Sequence, residues 1–201
     1  RSIDLIGNVL METIAGDITL TANRGATQTA GNFNGIQLTS STIQTDSGAI
    51  LLTGRGGTGA TGNSDGVFVD SSTIRSTGAG TIELTGTATD GSTSDGIDLD
   101  ADAVPGTPSL ITSVTGAITL TGTSSVDNGV EIQEGSVVSS TGTGAATITI
   151  MGNAITENSS DGVAIEDDGT TITSVDGNIL IDGTSSDDDG IDVGGNVVIR
   201  S

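Results

Sequence analysis

The feature that most limits how this chain can fold is a seven-residue phrase that recurs along it. Its consensus is Gly-x-Ile-x-Leu-x-Gly, and successive copies begin 30 to 36 residues apart. Self-similarity at such a period is typical of repeat architectures, in which each repeat packs only on its neighbours. The copies are GDITLTA (16–22), GAILLTG (48–54), GTIELTG (80–86), GAITLTG (116–122), ATITIMG (146–152) and GNILIDG (177–183).

Two further phrases follow each copy, and all three alternate apolar and polar residues. That period of two is typical of β-strands with one buried face. The second phrase reads NGIQL (34–38), DGVFV (65–69), DGIDL (95–99), NGVEI (128–132), DGVAI (161–165) and DGIDV (189–193). The third reads STIQT (41–45), STIRS (72–76), SLITS (109–113), SVVSS (136–140), TTITS (170–174) and NVVIRS (196–201).

Three short strands per repeat predict an all-β fold, a parallel β-helix (β-solenoid) with three strands per coil and about seven coils of 30–36 residues. Right-handed winding is expected, because parallel crossovers are almost always right-handed. We expect one domain, 1–201, with a partial coil at 1–15 and full coils beginning near 16, 48, 80, 116, 146 and 177. The predicted interior columns start at Ile18, Leu20, Ile36 and Ile43, and the last of them runs through Ile74, Ile111, Val138, Ile172 and Val198.

In each repeat, an Asn or Asp followed by glycine precedes the strand that the second phrase predicts. We interpret these pairs as turns in which the glycine supplies a positive φ and the stacked side chains form a hydrogen-bonded ladder. Carboxylates in neighbouring coils also make candidate calcium ligands, and the predicted set is Asp65, Asp95, Asp161 and Asp189. Further outward acids, among them Asp98, Asp100 and Glu131, lie nearby. The alternative is an acidic face that is simply solvated.

Composition excludes several classes of function. The chain carries 26 acidic residues against five arginines, a net charge of −21, and it has no cysteine and no histidine. Disulfides, thiolate nucleophiles and histidine bases are therefore absent. The negative charge opposes binding to nucleic acid and to anionic membranes. From the charge we expect no nucleic acid as partner. No apolar run approaches the roughly 18 residues of a membrane-spanning helix, so we also expect no membrane insertion.

The segments between the first and second phrases vary most in length. They are expected to project along one edge of the rod, where repeat proteins often bind ligands. A second insertion, DADAVPGTP (100–108), enlarges one coil and contains both prolines.

The Gly-x-Ile-x-Leu-x-Gly coils, rich in Thr, Ser, Asn and Asp, resemble the filamentous-haemagglutinin-like β-strand-repeat proteins of bacterial surfaces. The resemblance implies a right-handed β-helix, export to the extracellular side or cell surface, and adhesive or structural work, with no catalytic residues. We therefore expect a non-enzymatic rod of a surface fibre or adhesin that requires no cofactor. A calcium ion at the acidic columns is the candidate ligand. The expected partners are further copies of the chain, stacked end to end or within a longer β-helix, and surface glycans or a neighbouring cell.

A carbohydrate-active β-helix enzyme, either a polysaccharide hydrolase or a lyase, is the alternative. An inverting glycosidase needs only two suitably spaced carboxylates, which a chain with 26 acids could supply. A lyase would need a cluster of basic residues, and the five arginines are scattered through the sequence. The structural trace of such an enzyme would be a dense group of carboxylates in a groove.

Overall fold

The computed structural model describes residues 1–59, 61–104, 106–144, 146–155 and 159–201, and in these ranges the regular structure is entirely β. Parts of the predicted loops, at positions 60, 105 and 156–158, lie outside the described residues. In chain order the strands are β1 (Ile3–Ile6), β2 (Leu10–Glu12), β3 (Ile18–Thr21), β4 (Ile36–Thr39), β5 (Thr42–Thr45), β6 (Ile50–Arg55), β7 (Val67–Asp70), β8 (Thr73–Ser76), β9 (Ile82–Ala88), β10 (Ile97–Asp100), β11 (Leu110–Ser113), β12 (Ile118–Ser124), β13 (Val130–Ile132), β14 (Val137–Ser140), β15 (Ile148–Ala154), β16 (Val163–Ile165), β17 (Thr171–Ser174), β18 (Ile179–Ser185), β19 (Ile191–Val193) and β20 (Val198–Arg200).

The strands form three parallel sheets that wind through about six turns of a right-handed parallel β-helix, which confirms the predicted fold class. Sheet A holds the seven strands β1, β4, β7, β10, β13, β16 and β19. Sheet B holds the seven strands β2, β5, β8, β11, β14, β17 and β20, and sheet C holds the six strands β3, β6, β9, β12, β15 and β18. Each strand of sheet C begins two residues after a predicted coil start.

Equivalent residues stack directly on one another through the coils. Ile82 of β9 pairs in register with Ile50 and Ile118, and Ile97 of β10 pairs with Val67 and Val130. The inward members of these columns are fully buried in the central coils and form one continuous aliphatic core. One predicted column is wrong at its end: Ile199, and not Val198, pairs with Ile172, because the last strand lies one residue further along the chain than the phrase suggested.

Small hydroxyl side chains satisfy backbone groups at the corners. Between sheets A and B, the Ser41 amide donates to Oγ of Ser72 (3.0 Å), and the Ser72 amide donates to Oγ of Ser109 (3.3 Å) in the next coil. Between sheets B and C, the Gly116 amide donates to Oγ of Ser113 (3.0 Å). Buried polar backbone needs such partners, and this explains why serine and threonine recur at fixed places in the repeat.

The glycines after Asn or Asp have a different role from the predicted one. Within the described ranges φ is positive at none of these six glycines, so the prediction that they supply positive φ is wrong. They permit close approach instead. A Cβ on Gly86 would overlap the carbonyl oxygen of Gly96 across the corner between sheets C and A, and a Cβ on Gly96 would meet backbone of the next coil. Positive φ occurs at the corner between sheets A and B, for example at Ser40 and Ser71.

The last coil leaves interior-facing residues open to solvent. Val193 of β19 belongs to the column of Leu99 and Ile132, which are fully buried, yet it is 49% exposed. Ile191 and Ile199 are exposed in the same way.

In the ranges that the structure covers, no helix is long and apolar enough to cross a membrane.

Replacing one glycine of a facing pair should destabilise the rod. We expect Gly86→Ala to lower the free energy of unfolding by at least about 2 kcal/mol, because the new methyl group would displace rigid backbone. Urea unfolding followed by circular dichroism measures this. The control is Gly194→Ala, where a Cβ would have nothing within 4 Å. Equal stability of the two variants would contradict the close-approach explanation.

Candidate functional site

The Asn and Asp residues before sheet A form a hydrogen-bonded ladder along the rod, as the structural interpretation of the sequence predicted. In each step the backbone amide of one coil donates to the side-chain Oδ1 of its neighbour. The Asp65 amide donates to Asn34 (2.9 Å), the Asp95 amide to Asp65 (3.0 Å), the Asn128 amide to Asp95 (2.9 Å), the Asp161 amide to Asn128 (2.7 Å) and the Asp189 amide to Asp161 (3.1 Å). The ladder therefore holds successive coils together at this corner.

The four residues predicted as calcium ligands lie in two separate parts of this ladder. Asp65 and Asp95 are buried in the middle of the rod, whereas Asp161 is half-buried and Asp189 is exposed near its end. Asp161 and Asp189 come together with Asp188. Asp95 comes together with two acids outside the predicted set, and Asp65 joins no group of three acids among the described residues.

The most buried of the three carboxylate groups among the described residues consists of Asp95, Asp98 and Glu131, which we call the central acidic cluster. One carboxylate oxygen from each residue lies within 4.8 Å of the others. Asp98 and Glu131 are in-register neighbours on β10 and β13, both facing outward from sheet A, and Phe68 flanks Asp98 on the other side. The side chains of Asp95 and Asp98 are each only 4% exposed.

Two amide side chains hold the third member of the cluster in place. Nδ2 of Asn128 donates to Oε1 of Glu131 (3.3 Å), and Nε2 of Gln133 donates to Oε2 (3.2 Å). Within the ranges that the structure describes, Asp95 accepts the ladder hydrogen bond described above and no other. Oδ1 of Asp98 is buried and has no hydrogen-bond partner within the described part of the chain, and the same is true of Oδ2 of Asp65.

Burial and mutual repulsion make these acids hard to ionise. Burial, followed by repulsion from Glu131 and Asp98, raises the pKa of Asp95 well above its usual range. Burial, followed by repulsion from Asp65 and Glu131, does the same to the pKa of Asp98. Burial raises the pKa of Asp65 to about 7, and burial with repulsion from Asp127 raises the pKa of Glu131 to about 7. The site therefore favours either protons or a bound cation.

A second acidic group lies beside the insertion after β10. It consists of Asp100, which is buried, with Asp102 and Glu134, which are exposed. Asp70 anchors the start of this insertion, since its Oδ1 accepts hydrogen bonds from the Ala103 amide (2.8 Å) and from Oγ of Ser71 (3.0 Å). The carboxylate of Asp70 thus stabilises the backbone of the insertion by accepting the Ala103 amide.

The predicted ligand-binding edge carries a small depression at its first long loops. Its volume is about 190 Å³, and Arg55 donates beside it to the carbonyl oxygen of Gly25 (2.8 Å). Two of the five arginines, Arg24 and Arg55, therefore line this depression. The lining residues are Ala22, Asn23, Arg24, Thr53, Gly54, Arg55 and Thr87.

Sequence reasoning omitted Asp98 and Glu131 from the metal set, although both were noted as nearby outward acids. A local signal could have selected them. Only in the DGIDL and NGVEI phrases of two consecutive coils does an acid stand three residues after the Asn or Asp and face an equivalent acid in the adjoining coil. The spacing places both acids outward on sheet A, three residues from the corner ladder. The burial of Asp98 could not be read from the phrase.

Comparisons of the chain with known protein families, with curated proteins and with solved structures found no match.

The raised pKa values predict that stability falls as pH rises in buffer free of divalent cations. The unfolded chain releases these protons near pH 4, whereas the folded chain holds those of Asp65 and Glu131 up to about pH 7. The folded state therefore binds more protons in this window, so its stabilisation is complete below about pH 4 and is lost by about pH 7 and above.

We expect the free energy of unfolding at pH 5 to exceed that at pH 8 by on the order of a few kcal/mol, measured by urea unfolding with a chelator present. Asp98→Asn should reduce the difference, because it removes one buried acid. Asp4→Asn, at the exposed start of the same outward column, should leave it unchanged. Stability that is flat or rising over this range would contradict the assignment.

Proposed function

We propose that this chain is a non-enzymatic structural rod of a secreted bacterial surface fibre or adhesin. In this role its coils continue into further coils, either by end-to-end stacking of copies or within a longer β-helix. The observation that carries the proposal is the uninterrupted register of all three sheets, in which each strand pairs with its equivalent in the next coil. Such a stack gives a stiff, straight element whose length grows with coil number.

The open face of the last coil supports continuation of the stack. Ile191, Val193 and Ile199 present aliphatic side chains where a further coil would cover them. The strands β18, β19 and β20 also present backbone groups that sheet pairing can satisfy. A further coil placed in the same register would extend both the core columns and the hydrogen bonding of the three sheets.

An extracellular location fits the same physical picture. The side faces of the rod carry small polar and acidic residues, and the net charge of −21 keeps rods apart laterally. Together with the resemblance to filamentous-haemagglutinin-like repeat proteins, this favours a surface fibre. The loop edge that contains Arg24 and Arg55 is where we place any contact with surface glycans or a neighbouring cell.

A carbohydrate-active enzyme is the second candidate, and the central acidic cluster is the observation that favours it. The geometry of the cluster supports an enzyme less well than the stacked coils support a structural rod. The carboxylates of an inverting glycosidase stand roughly 6.5–9.5 Å apart and are open to substrate, whereas the oxygens here lie within 4.8 Å of one another and two of the three residues are buried. Incubation with a panel of polysaccharides should release no reducing ends, and release that Glu131→Gln abolishes would overturn the non-enzymatic proposal.

End-to-end stacking predicts filaments that a charge on the open face disrupts. Negative-stain electron microscopy and sedimentation velocity of the 201-residue chain should show linear assemblies that grow with concentration. Val193→Asp should reduce their length or abolish them, because it places a carboxylate where the next coil would bury an aliphatic side chain.

The matched control is Leu180→Asp, which adds the same charge to the last sheet C strand. Leu180 faces outward and is already 54% exposed, so filaments of this variant should equal those of the wild type. Circular dichroism verifies that both variants keep the β-helix. Dispersed wild-type monomers at high concentration would contradict self-stacking.

A further inference from the structure

The Asp98 carboxylate occupies a position that the protein alone does not satisfy. It is an outward residue of β10, yet it is 4% exposed, and its Oδ1 has no hydrogen-bond partner in the part of the chain that the structure describes. A buried carboxylate oxygen without a partner is costly, because it gives up its hydration and receives no hydrogen bond in return. Such an oxygen indicates that something outside the polypeptide completes the site.

The surrounding oxygens converge on a volume that one ion can fill. Carboxylate oxygens of Asp95, Asp98 and Glu131 lie within 4.8 Å of one another. Calcium binds oxygen ligands at about 2.3–2.6 Å, so oxygens on opposite sides of one ion stand about 4.6–5.2 Å apart. All three carboxylates can therefore reach a single ion with small side-chain adjustments.

In the described part of the chain, no cationic group is among those with the largest effect on these acids. The groups that act on Asp95 and Asp98 electrostatically are other carboxylates, namely Asp65, Asp127, Glu131 and Asp100. The sequence contains neither lysine nor histidine. The hydrogen-bond donors are neutral: the Asn128 amide to Asp95, and the side chains of Asn128 and Gln133 to Glu131. Compensation must therefore come from protons or from a cation.

We propose that Asp95, Asp98 and Glu131 bind a divalent cation of the calcium class. Three carboxylates with no nitrogen or sulfur ligand favour a hard, oxygen-seeking ion. Calcium suits them better than magnesium, because its larger and more variable shell tolerates ligands set by a rigid β-helix. This site goes beyond the rod function and is independent of it.

The bound ion would tie two coils together at the middle of the rod. Asp95 and Asp98 flank the start of β10 in one coil, and Glu131 lies on β13 in the next. The unpartnered Oδ2 of Asp65, in the preceding coil, adds to the negative potential of the site. The ion would thus replace repulsion between three adjacent coils with a shared attraction.

The other two acidic groups differ from this one. Asp100, Asp102 and Glu134 include two exposed side chains, and Asp161, Asp188 and Asp189 include two as well. Among the described residues neither group has a buried oxygen that lacks a partner. Calcium binding at Asp161 and Asp189 therefore stays a prediction from the sequence, and the proposal is confined to the central acidic cluster.

Isothermal titration calorimetry of the full chain with calcium chloride tests the proposal. The titration belongs at neutral pH in about 0.15 M salt, where the screening length is about 8 Å and diffuse binding to the acidic surface is weakened. The wild type should show a saturable site that magnesium at equal concentration does not fill. Calcium should also raise the melting temperature, by on the order of 5 °C at a hundredfold excess over Kd.

Asp98→Asn should lose one saturable site, or bind calcium at least about tenfold more weakly. It should also remain folded without calcium, because it removes a buried charge. Glu131→Gln, at a partly exposed position, should show the same loss and serves as the second variant. Asp4→Asn, at the exposed end of the same column, should bind like the wild type. Absence of saturable calcium binding in the wild type, or unchanged binding in both cluster variants, would overturn the proposal and leave shared protons as the compensating charge.

Discussion

In-register pairing of parallel strands between coils is the constraint on which the rest of this molecule depends. Each residue lies directly next to its equivalent in the coils before and after it, about 4.8 Å away. Aliphatic side chains gain from this arrangement, because Ile82 between Ile50 and Ile118 fills its column without a gap. Polar side chains gain only when their neighbour can donate or accept a hydrogen bond. The same register therefore produces both the aliphatic core and the repulsion between outward-facing carboxylates of neighbouring coils.

The corners show how the repeat meets this constraint without large side chains. Facing glycines such as Gly86 and Gly96 let the backbone of sheet C approach that of sheet A more closely than any Cβ would permit. Side-chain oxygens of Asn and Asp then accept the amide of the adjoining coil, and corner serines do the same on the other side. Glycine, Asx and hydroxyl residues are thus structural parts of the coil, which accounts for much of the unusual composition.

Acidic residues stack in the same register, but neighbouring carboxylates repel one another, whereas neighbouring aliphatic side chains attract. An aspartate that accepts a backbone amide, like Asp70 beside the insertion, is stabilised where it stands. Oδ1 of Asp98, next to Glu131, has no hydrogen-bond donor among the described residues, and the neighbouring acids repel this carboxylate. A stack of identical coils can tolerate this only by binding protons or a cation, or by keeping acids in solvent. The continuous stack of coils and the central acidic cluster are therefore separate consequences of one geometry.

The sequence by itself determined three strands per coil and the three walls, because alternating residues that recur about every 32 positions fit a parallel β-helix, although it placed the last strand one residue too early. It also identified the Asn and Asp ladder, since that ladder follows from which residues stack. It misjudged the glycines after Asn or Asp, because close approach of two backbones depends on how sheets C and A meet at the corner. It named Asp65, Asp95, Asp161 and Asp189 as one class, although burial separates the first pair from the second. Only the tertiary structure decided that Asp98 is buried and that its oxygen converges with those of Asp95 and Glu131, because burial of an outward residue depends on the loops and neighbouring coils packed around it.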